Sequence, residues 1–287
     1  DMLGEAAITA ADADRFFNAY MHAIGQLATK VQAGNDNDNY DLYIRPSVSV
    51  KLSALYPRYE PLQHRHAVPE LTAKLLKLAQ YARAGGISLT VDAEESERLE
   101  MSLDIFEAVF VHEKLDGWSG LGLAVQAYQK RATYVIQWLA KLAKNKQRKI
   151  PVRLVKGAYW DSEIKRAQEN GLTGYPVFTR KSATDISYLV CARLLISKPD
   201  CFYPQFATHN AHTVAAILQM VRNHSNYEFQ RLYGMGKALY QAVLEQYNHS
   251  VVCRVYAPVG CYQDLLPYLV RRLLENGANT SFIHQIE

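Results

Sequence analysis

Hydrophobic and polar positions along this chain follow two alternating periods. Short runs that repeat every two residues predict strands at 1–5, 47–52, 87–93, 121–127, 151–156, 205–209, 228–232 and 251–257. Longer stretches with apolar positions three and four apart predict helices at 10–31, 69–84, 96–112, 128–144, 161–170, 183–197, 211–223, 235–247 and 262–276. Strands separated by helices form parallel βαβ units. Eight such units predict an α/β fold of the (β/α)8 barrel type, with an open doubly wound sheet as the alternative.

The strand-like runs place polar side chains on one face and apolar side chains on the other. In "SVSVKLS" (47–53), Val48 and Val50 alternate with Ser49 and Lys51, and "ISLTVDAEE" alternates in the same way up to its aspartate. In a barrel the polar face points inward, and barrel enzymes keep their chemistry at the carboxyl ends of the strands. A polar antiparallel face open to water is the alternative, which the helical spacers disfavour. The polar residues near strand ends are Lys51, Asp92, Gln126, Arg153, His209 and Tyr256.

Length and charge narrow the class of protein. A chain of 287 residues with 49% hydrophobic content suits one α/β barrel, so we predict a single domain over 1–287. The chain does not begin with Met, and we expect it to be part of a longer one. A net charge of +4, with no Lys/Arg-rich run, does not imply nucleic acid. No apolar run has transmembrane length, and the four cysteines lack C-x-x-C spacing, as expected of reduced cytoplasmic thiols.

The segment "PVRLVKGAYWDSEI" (151–164) gathers charge and aromatic rings at a strand end. Arg153 and Lys156 lie around a Gly-Ala turn, and Tyr159 and Trp160 follow it. Two cations and two rings suit a flat anionic ligand, with the charges meeting phosphates and the rings stacking. The other interpretation is a lysine with its stem on apolar surface beside two core aromatics. The residues leave both interpretations open.

Two further segments lead into helices. "YPVFTRKSATD" (175–185) puts Thr179, Arg180 and Lys181 before a helix, where they either hold phosphates or form a solvated basic turn. "ATHNAHT" (207–213) holds His209 and His212, three residues apart with no acidic or cysteine partner nearby, so no metal site is predicted. The same segment is a natural helix entry with exposed amide donors.

Two other chemistries have little support. "GLG" (120–122) and "GMG" (234–236) do not complete G-x-G-x-x-G, so a Rossmann dinucleotide site is not predicted. Lys51 and Lys156, if buried, could form Schiff bases with a carbonyl substrate, but nothing nearby singles out that reaction.

The helix predicted at 262–276 has two faces. Its polar face carries Tyr268, Arg271, Arg272 and Glu275, opposite a stripe of leucine and valine. A solvated face with an Arg271–Glu275 pair would contribute about 0.2–0.5 kcal/mol to helix stability. The other interpretation is a clamp, because two forked guanidinium groups can grip one planar carboxylate. The pattern alone favours the solvated face.

Ten segments of the chain together resemble one family. In order, they are "DMLGEA", "SVKLSALYPRY", "LTVDAEE", "VQAYQKR", "VRLVKGAYWD", "YPVFTRK", "ATHNAHT", "FQRLYGMG", "RVYAPVG" and "LVRRLLENGANTSF". Over essentially its whole length the chain is similar to the proline dehydrogenase domain of bacterial bifunctional proline utilisation proteins. The resemblance implies a distorted (β/α)8 barrel with its last helix over the carboxyl-end mouth. It also implies FAD as the cofactor and oxidation of L-proline to Δ1-pyrroline-5-carboxylate, the first step of proline catabolism, by hydride transfer from proline C5 to flavin N5.

The resemblance also implies a substrate site. Lys51, Arg271 and Arg272 would bind the substrate carboxylate. The same three cations would also attract small proline-like carboxylates as inhibitors. Asp92 would orient a cation of this clamp, and Glu5 would pair with Arg271 when the site is empty. The remaining residues of this implied site are Glu275, which would support that network, and the residues around the proline ring, Tyr159, Tyr256, Leu232 and Ala158. Tyr256 would in addition discriminate against a ring hydroxyl.

The implied cofactor site lies along three strand ends. Arg153 would donate toward flavin N5 and Gln126 would bond the ring system, with Trp160 packed nearby; with Lys51 and Asp92, Arg153 forms the implied catalytic set. The rest of the implied FAD set is Val155, Lys156, Gly157, Thr179, Arg180, Lys181, Thr208, His209 and Asn210.

Partners and location follow from the same resemblance. Electrons would pass to a membrane quinone, and the full-length protein would be cytoplasmic with peripheral contact at the inner membrane. The family's longer chains add an aldehyde dehydrogenase and sometimes a DNA-binding module, which are not assigned to this chain. A lysine Schiff-base lyase without flavin and a non-catalytic binding barrel remain the alternatives.

Overall fold

The computed structural model describes residues 6–33, 41–221, 226–248, 250–260 and 270. Within them, strands and helices alternate along the chain. The helices are α1 (Ala10–Ala33), α2 (His64–Ala84), α3 (Leu99–Phe110), α4 (Ala132–Lys146), α5 (Trp160–Glu169), α6 (Lys181–Ile196), α7 (Ala211–Met220) and α8 (Lys237–Gln246). The strands are β1 (Ser47–Val50), β2 (Ser88–Val91), β3 (Leu121–Gln126), β4 (Ile150–Val155), β5 (Phe202–Ala207), β6 (Glu228–Leu232) and β7 (Cys253–Tyr256).

The strands follow one another in chain order across the sheet, from β1 to β7. Neighbouring strands are parallel in the pairs β1–β2, β2–β3, β5–β6 and β6–β7. A doubly wound sheet reverses its strand order at a switch point, whereas a barrel does not. The predicted α/β fold with barrel strand order is therefore confirmed. The strand predicted at 1–5 and, apart from residue 270, the helix predicted at 262–276 lie outside the described residues.

Proline lies near the two element starts that the pattern placed several residues too late. The helix predicted from residue 69 begins at His64, with Pro69 inside it. The strand predicted from residue 205 begins at Phe202, and Pro204 lies within it. Proline usually marks an element boundary because it lacks a backbone donor. The pattern therefore placed both starts too late.

The chain divides into two compact units. Residues 1–124 and 142–151 form unit 1, and residues 125–141 and 152–287 form unit 2. In unit 1, α1 packs on α2 and β1, and α2 packs on α3 and β2. The interior of α1 and α2 is built from fully buried side chains at helical spacing, which are Ala13, Tyr20, Ile24, Leu71, Leu75 and Leu78.

An aromatic cluster forms the core of unit 2. Phe206 of β5 and Phe229 of β6 lie with ring centroids 6.0 Å apart, and Tyr240 of α8 lies 5.7 Å from Phe229. Because side chains alternate along a strand, this apolar face leaves Glu228 and Gln230 on the opposite face of β6. That opposite face carries polar groups although it is also buried.

A buried arginine ties three backbone carbonyls together in unit 1. Arg148 donates to the carbonyl oxygens of Phe110, Leu115 and Trp118. Its guanidinium group also lies 4.1 Å from the centroid of the Phe110 ring. Carbonyls at a helix end lack intrahelical donors, and Arg148 supplies donors to the end of α3 and to the segment that follows it.

Within the described residues, no helix is both long enough and apolar enough to span a membrane.

We expect Arg148→Met to lower the free energy of unfolding by about 3 kcal/mol, because it leaves buried carbonyls without donors. Urea unfolding followed by circular dichroism measures this loss. The neighbouring partly exposed Lys149 is the matched control, and Lys149→Met should stay within about 0.5 kcal/mol of the parent chain. Equal losses in the two variants would contradict a special role for Arg148.

Candidate functional site

A continuous row of buried polar side chains crosses β4, β6 and β7 in unit 2. We call Arg153, Gln230, Glu228 and Arg254 the polar row. Arg153 Nε donates to Gln230 Oε1 at 2.8 Å, and Gln230 Nε2 donates to Glu228 Oε1 at 2.6 Å. Arg254 then donates to both carboxylate oxygens of Glu228, at 2.9 Å each. Parallel register makes the row possible, since Gln230 lies beside Arg254 in adjacent strands.

Two tyrosines contact the charged members of the polar row. The Arg153 guanidinium group lies 4.8 Å from the centroid of the Tyr256 ring, a cation–π arrangement. Tyr203 donates its hydroxyl to Glu228 Oε2 at 3.4 Å. Arg153 and Tyr256 were predicted site residues, and the structure brings them together. Glu228 and Gln230 were not predicted, although the alternation of "EFQRL" (228–232) places them on one face.

A buried ion pair lies in unit 1, directly after the ends of β1 and β2. Lys51 Nζ lies 3.1 Å from Asp92 Oδ2, and both side chains are largely buried. The backbone N–H of Lys51 donates to the Tyr20 hydroxyl at 3.2 Å, and that of Asp92 to the Val50 carbonyl at 2.9 Å. Burial raises the pKa of Tyr20 to about 12, so its hydroxyl stays protonated at neutral pH. The resemblance implied that Asp92 orients a cation of the clamp, and Asp92 contacts Lys51 here, while the role of this pair stays a prediction.

Glu94 is a site feature that the sequence analysis did not single out. Its carboxylate accepts the backbone N–H of Ser53 at 3.1 Å and meets Arg98 at 3.3 Å. Burial raises the pKa of Glu94, and its bonds to Ser53 oppose that rise. The residue fastens the turn that follows β1, two residues beyond Lys51. The "DAEE" segment showed an acidic cluster, but its contact with β1 depends on strand pairing.

Three of the predicted phosphate-binding residues lie at the start of α6. Thr179, Arg180 and Lys181 are exposed. Lys181 Nζ lies 2.6 Å from Asp185 Oδ2, and the buried Lys156 bonds the other carboxylate oxygen. Burial by itself would raise the pKa of Asp185, but the bonds from Lys156 and Lys181 lower it. Burial lowers the pKa of Lys156, and Asp185 offsets this only in part. One carboxylate thus holds two of the predicted cations.

The turn between β5 and α7 is closed by its own polar side chains. Asn210 caps α7, since its Oδ1 accepts the Thr213 N–H at 2.9 Å. The Thr208 hydroxyl oxygen accepts the Asn210 N–H at 3.2 Å. His209 Nε2 accepts the Leu232 N–H at 3.0 Å, which requires a neutral ring with its proton on Nδ1. Burial, with help from Arg231, lowers the pKa of His209 accordingly.

The glycines of "GMG" serve this turn. Gly236 has φ of 65°, and a Cβ there would lie 2.8 Å from the His209 ring. Only glycine combines that conformation with so close an approach. The motif packs α8 against the His209 turn.

The segment after β4 is held by local contacts. The Ala158 N–H lies 3.4 Å from Gln126 Oε1. The indole N–H of Trp160 donates to the Phe178 carbonyl at 2.9 Å, while the residue is 38% exposed. Gly157 has φ of 142°, and a Cβ there would meet the Tyr128 ring at 2.5 Å. The strand end is thereby fixed with the Trp160 ring presented to solvent.

The remaining predicted site residues are distributed as follows. Val155 ends β4, and its carbonyl accepts the Ala127 N–H at 2.8 Å. Tyr159 precedes α5. Leu232 and Tyr256 are register partners at the ends of β6 and β7. The predicted clamp and gate residues, Glu5, Arg271, Arg272 and Glu275, lie outside the described residues.

The donor set of unit 2 fits a flat anionic cofactor. Arg153 and Lys156 are buried cations at one strand end, and Trp160 offers a partly exposed ring. The helix amides behind Asn210 add donors of the kind that bind phosphate. In the part of the chain that the structure describes, no three His, Cys, Asp or Glu side chains cluster so as to hold a metal ion.

Comparison with known proteins gives a consistent set of matches. A protein-family model described as "Proline dehydrogenase" matches residues 1–285. The "Bifunctional protein PutA" of Klebsiella aerogenes is 51% identical over 100% of this chain and 22% of its own length. The "Proline dehydrogenase 2" of Bacillus subtilis is 30% identical over 72% of this chain and 60% of its own. A crystal structure of a mutant Bradyrhizobium japonicum PutA superposes with a TM-score of 0.92, at 55% identity, over 99% of this chain and 29% of that one.

The His209 bond makes stability depend on pH. Its folded pKa lies below the ordinary value of about 6.5, so the unfolded chain binds the proton more readily. The contribution is therefore present above about pH 6.5 and is lost as pH falls toward the folded pKa. We expect the parent chain to lose about 1 kcal/mol more unfolding free energy than His209→Gln between pH 7.5 and 5.5.

Urea unfolding at the two pH values measures this difference. His212, which is exposed at the start of α7, provides the matched control. The His212→Gln variant should follow the parent chain. A His209→Gln profile that also follows the parent would show that this imidazole does not titrate against the fold.

Proposed function

This chain belongs to the proline dehydrogenase family, and on that premise we propose that it oxidises L-proline to Δ1-pyrroline-5-carboxylate with FAD as the hydride acceptor. The observation that carries the proposal is the family match over residues 1–285. The proposal covers this reaction alone, because the chain spans 22% of the PutA relative from Klebsiella aerogenes.

The proposed cofactor site uses the carboxyl ends of β4, β5 and the residues after them. FAD would supply a two-electron acceptor that amino-acid side chains lack. Arg153 would place fixed positive charge beside the atom that gains negative charge in the transition state, where it acts in a water-poor environment. Gln126 and Trp160 would bind and cover the ring system. Lys156, Lys181 and the amides at the start of α7 suit phosphate groups.

The proposed substrate site depends on cations. Lys51 is held at 3.1 Å by Asp92, so its ammonium group has a fixed direction before substrate arrives. With Arg271 and Arg272 it would grip the proline carboxylate and set the ring's orientation for transfer of hydride from C5. Three cations for one carboxylate also favour small proline-like carboxylates as inhibitors.

The ring pocket would set specificity. Leu232 and Tyr256, with Tyr159 and Ala158, offer apolar surface for a saturated five-membered ring. A site with little hydrogen-bonding capacity discriminates only modestly against an added hydroxyl, so shape at Tyr256 would carry that selection. The amine proton of the substrate would leave to solvent.

Electrons would continue from the cofactor to a membrane quinone. In a longer, cytoplasmic protein this transfer would take place at the inner membrane surface by peripheral contact.

A Schiff-base lyase is the second candidate, because burial lowers the pKa of Lys156. Such a shift is what an amine nucleophile requires. Asp185 bonds this amine and holds its proton, which favours the flavin proposal. A colourless chain trapped by borohydride at Lys156 would support the lyase.

The test is a visible spectrum of the FAD-loaded chain before and after anaerobic addition of L-proline. We expect a flavin spectrum that bleaches with proline. A flavin spectrum unmoved by proline would contradict the substrate, and a chain that takes up no FAD would contradict the whole proposal.

The dependence of the bleaching rate on proline concentration tests the clamp. We expect Lys51→Met, Arg271→Met and Arg272→Met each to raise the proline concentration that gives half the maximal bleaching rate about tenfold or more, since each removes a charge-assisted bond. The exposed Lys77 provides a matched control, and Lys77→Met should titrate like the parent chain. Unchanged titration of Lys51→Met would remove that residue from the substrate site.

A further inference from the structure

Gln230 occupies a position that its chemistry makes hard to replace. Its amide oxygen accepts from Arg153 Nε and its amide nitrogen donates to Glu228. Arginine can only donate and a carboxylate can only accept. A residue between them must therefore accept on one side and donate on the other. This requirement fixes the orientation of the amide.

The neighbours of Gln230 are themselves immobilised. Glu228 has no exposed surface and Gln230 is 2% exposed. The forked pair with Arg254 and the Tyr203 hydroxyl engage both oxygens of Glu228. Glu228 is therefore a fixed acceptor for Gln230, and Gln230 in turn accepts from Arg153. A buried network in which each member is satisfied holds its side chains in one arrangement.

The charge of the side chain that bonds Arg153 also matters. In the polar row, Arg153 Nε bonds the neutral amide of Gln230. The Glu228 carboxylate is the next member of the row and pairs with Arg254. Gln230 therefore fixes the direction of the guanidinium group without itself adding a negative charge beside it. A glutamate at the same place would fix the direction and add that charge.

We propose that Gln230 is a positioning residue for Arg153, held in turn by Glu228, and that its neutral side chain sets the reduction potential of the bound flavin. This inference rests on the proposed function, in which Arg153 lies beside the acceptor atom of FAD. Positive charge there favours the reduced, more negative cofactor, and a group that moves or neutralises the charge disfavours it.

Two variants disturb Arg153 in different ways, one through its direction and one through charge. Gln230→Met keeps approximate volume and removes both hydrogen bonds. Gln230→Glu keeps an acceptor for Arg153 but places a carboxylate against Glu228, so the two groups compete for protons. Both variants should shift the oxidised-to-reduced ratio of the flavin about tenfold toward the oxidised form at a fixed potential, which for two electrons is about 30 mV.

The chain provides a matched control. Gln205 of β5 is also a buried glutamine, and its backbone pairs with Glu228 in the parallel register. Its Oε1 has no hydrogen-bond partner among the described residues. The Gln205→Met variant changes the same chemical group on the same face of the sheet, and it should leave the flavin potential at the parent value.

The measurement is the flavin midpoint potential of the FAD-loaded parent, Gln230→Met, Gln230→Glu and Gln205→Met, equilibrated anaerobically with a reference dye. A dithionite-driven titration needs no proline, so it is independent of the substrate. The anaerobic bleaching rate is recorded beside it over a range of proline concentrations. A positioning role predicts a slower maximal rate at an unchanged half-saturating proline concentration in both Gln230 variants.

The outcomes separate cleanly. Parent-like potentials in both Gln230 variants, or an equal shift in Gln205→Met, would overturn the inference while leaving the proposed function intact. A parent chain that binds no FAD would overturn both. If Gln230→Met does not fold by circular dichroism, Gln230→Asn decides: an amide one methylene too short should shift the potential in the same direction, and a parent-like value would overturn the proposal.

Discussion

The Glu228 carboxylate of unit 2 has no exposed surface, and the arrangement around it depends on partners for both of its oxygens. An ionised group taken out of water must be compensated by charge and hydrogen bonds. Glu228 receives both from Arg254, Tyr203 and Gln230. These partners come from three strands, so the match also sets the register of β5, β6 and β7. Because Arg153 donates to Gln230, the same set of bonds also fixes the direction of the Arg153 side chain.

Period-two patterns predicted much of this fold. Most of the strands are buried on both faces, yet polar and apolar side chains still alternate along them, so the strand period stays visible in the sequence. Among the described residues, each of the seven strands and eight α-helices overlaps a predicted element of its own kind. The same alternation placed Lys51, Asp92, Arg153 and Tyr256 on the polar face. What it could not supply is which side chain meets which across strands, because such contacts depend on register and on side-chain direction. Gln230 and Glu94 were missed for that reason.

Several residues that the resemblance assigns to FAD also serve the chain itself. Asn210 caps a helix, His209 accepts a backbone donor, and Lys156 and Lys181 pair with Asp185. Local motifs cannot reveal this double use, because a cap and a phosphate site have the same residue types. In physical terms, the scaffold supplies strand ends whose polar groups are already oriented. A ligand would then meet donors that lose little freedom on binding.

The hydrogen bonds from Arg148 to three backbone carbonyls affect how unit 1 unfolds locally. One guanidinium group joins the end of α3 to the turn before β3, so neither segment can leave without breaking bonds to the other. Segments linked in this way open as one cooperative unit rather than fraying separately. Backbone amides between residues 111 and 118 would accordingly share one opening free energy in hydrogen exchange, and the last turn of α3 would be as slow to exchange as its interior.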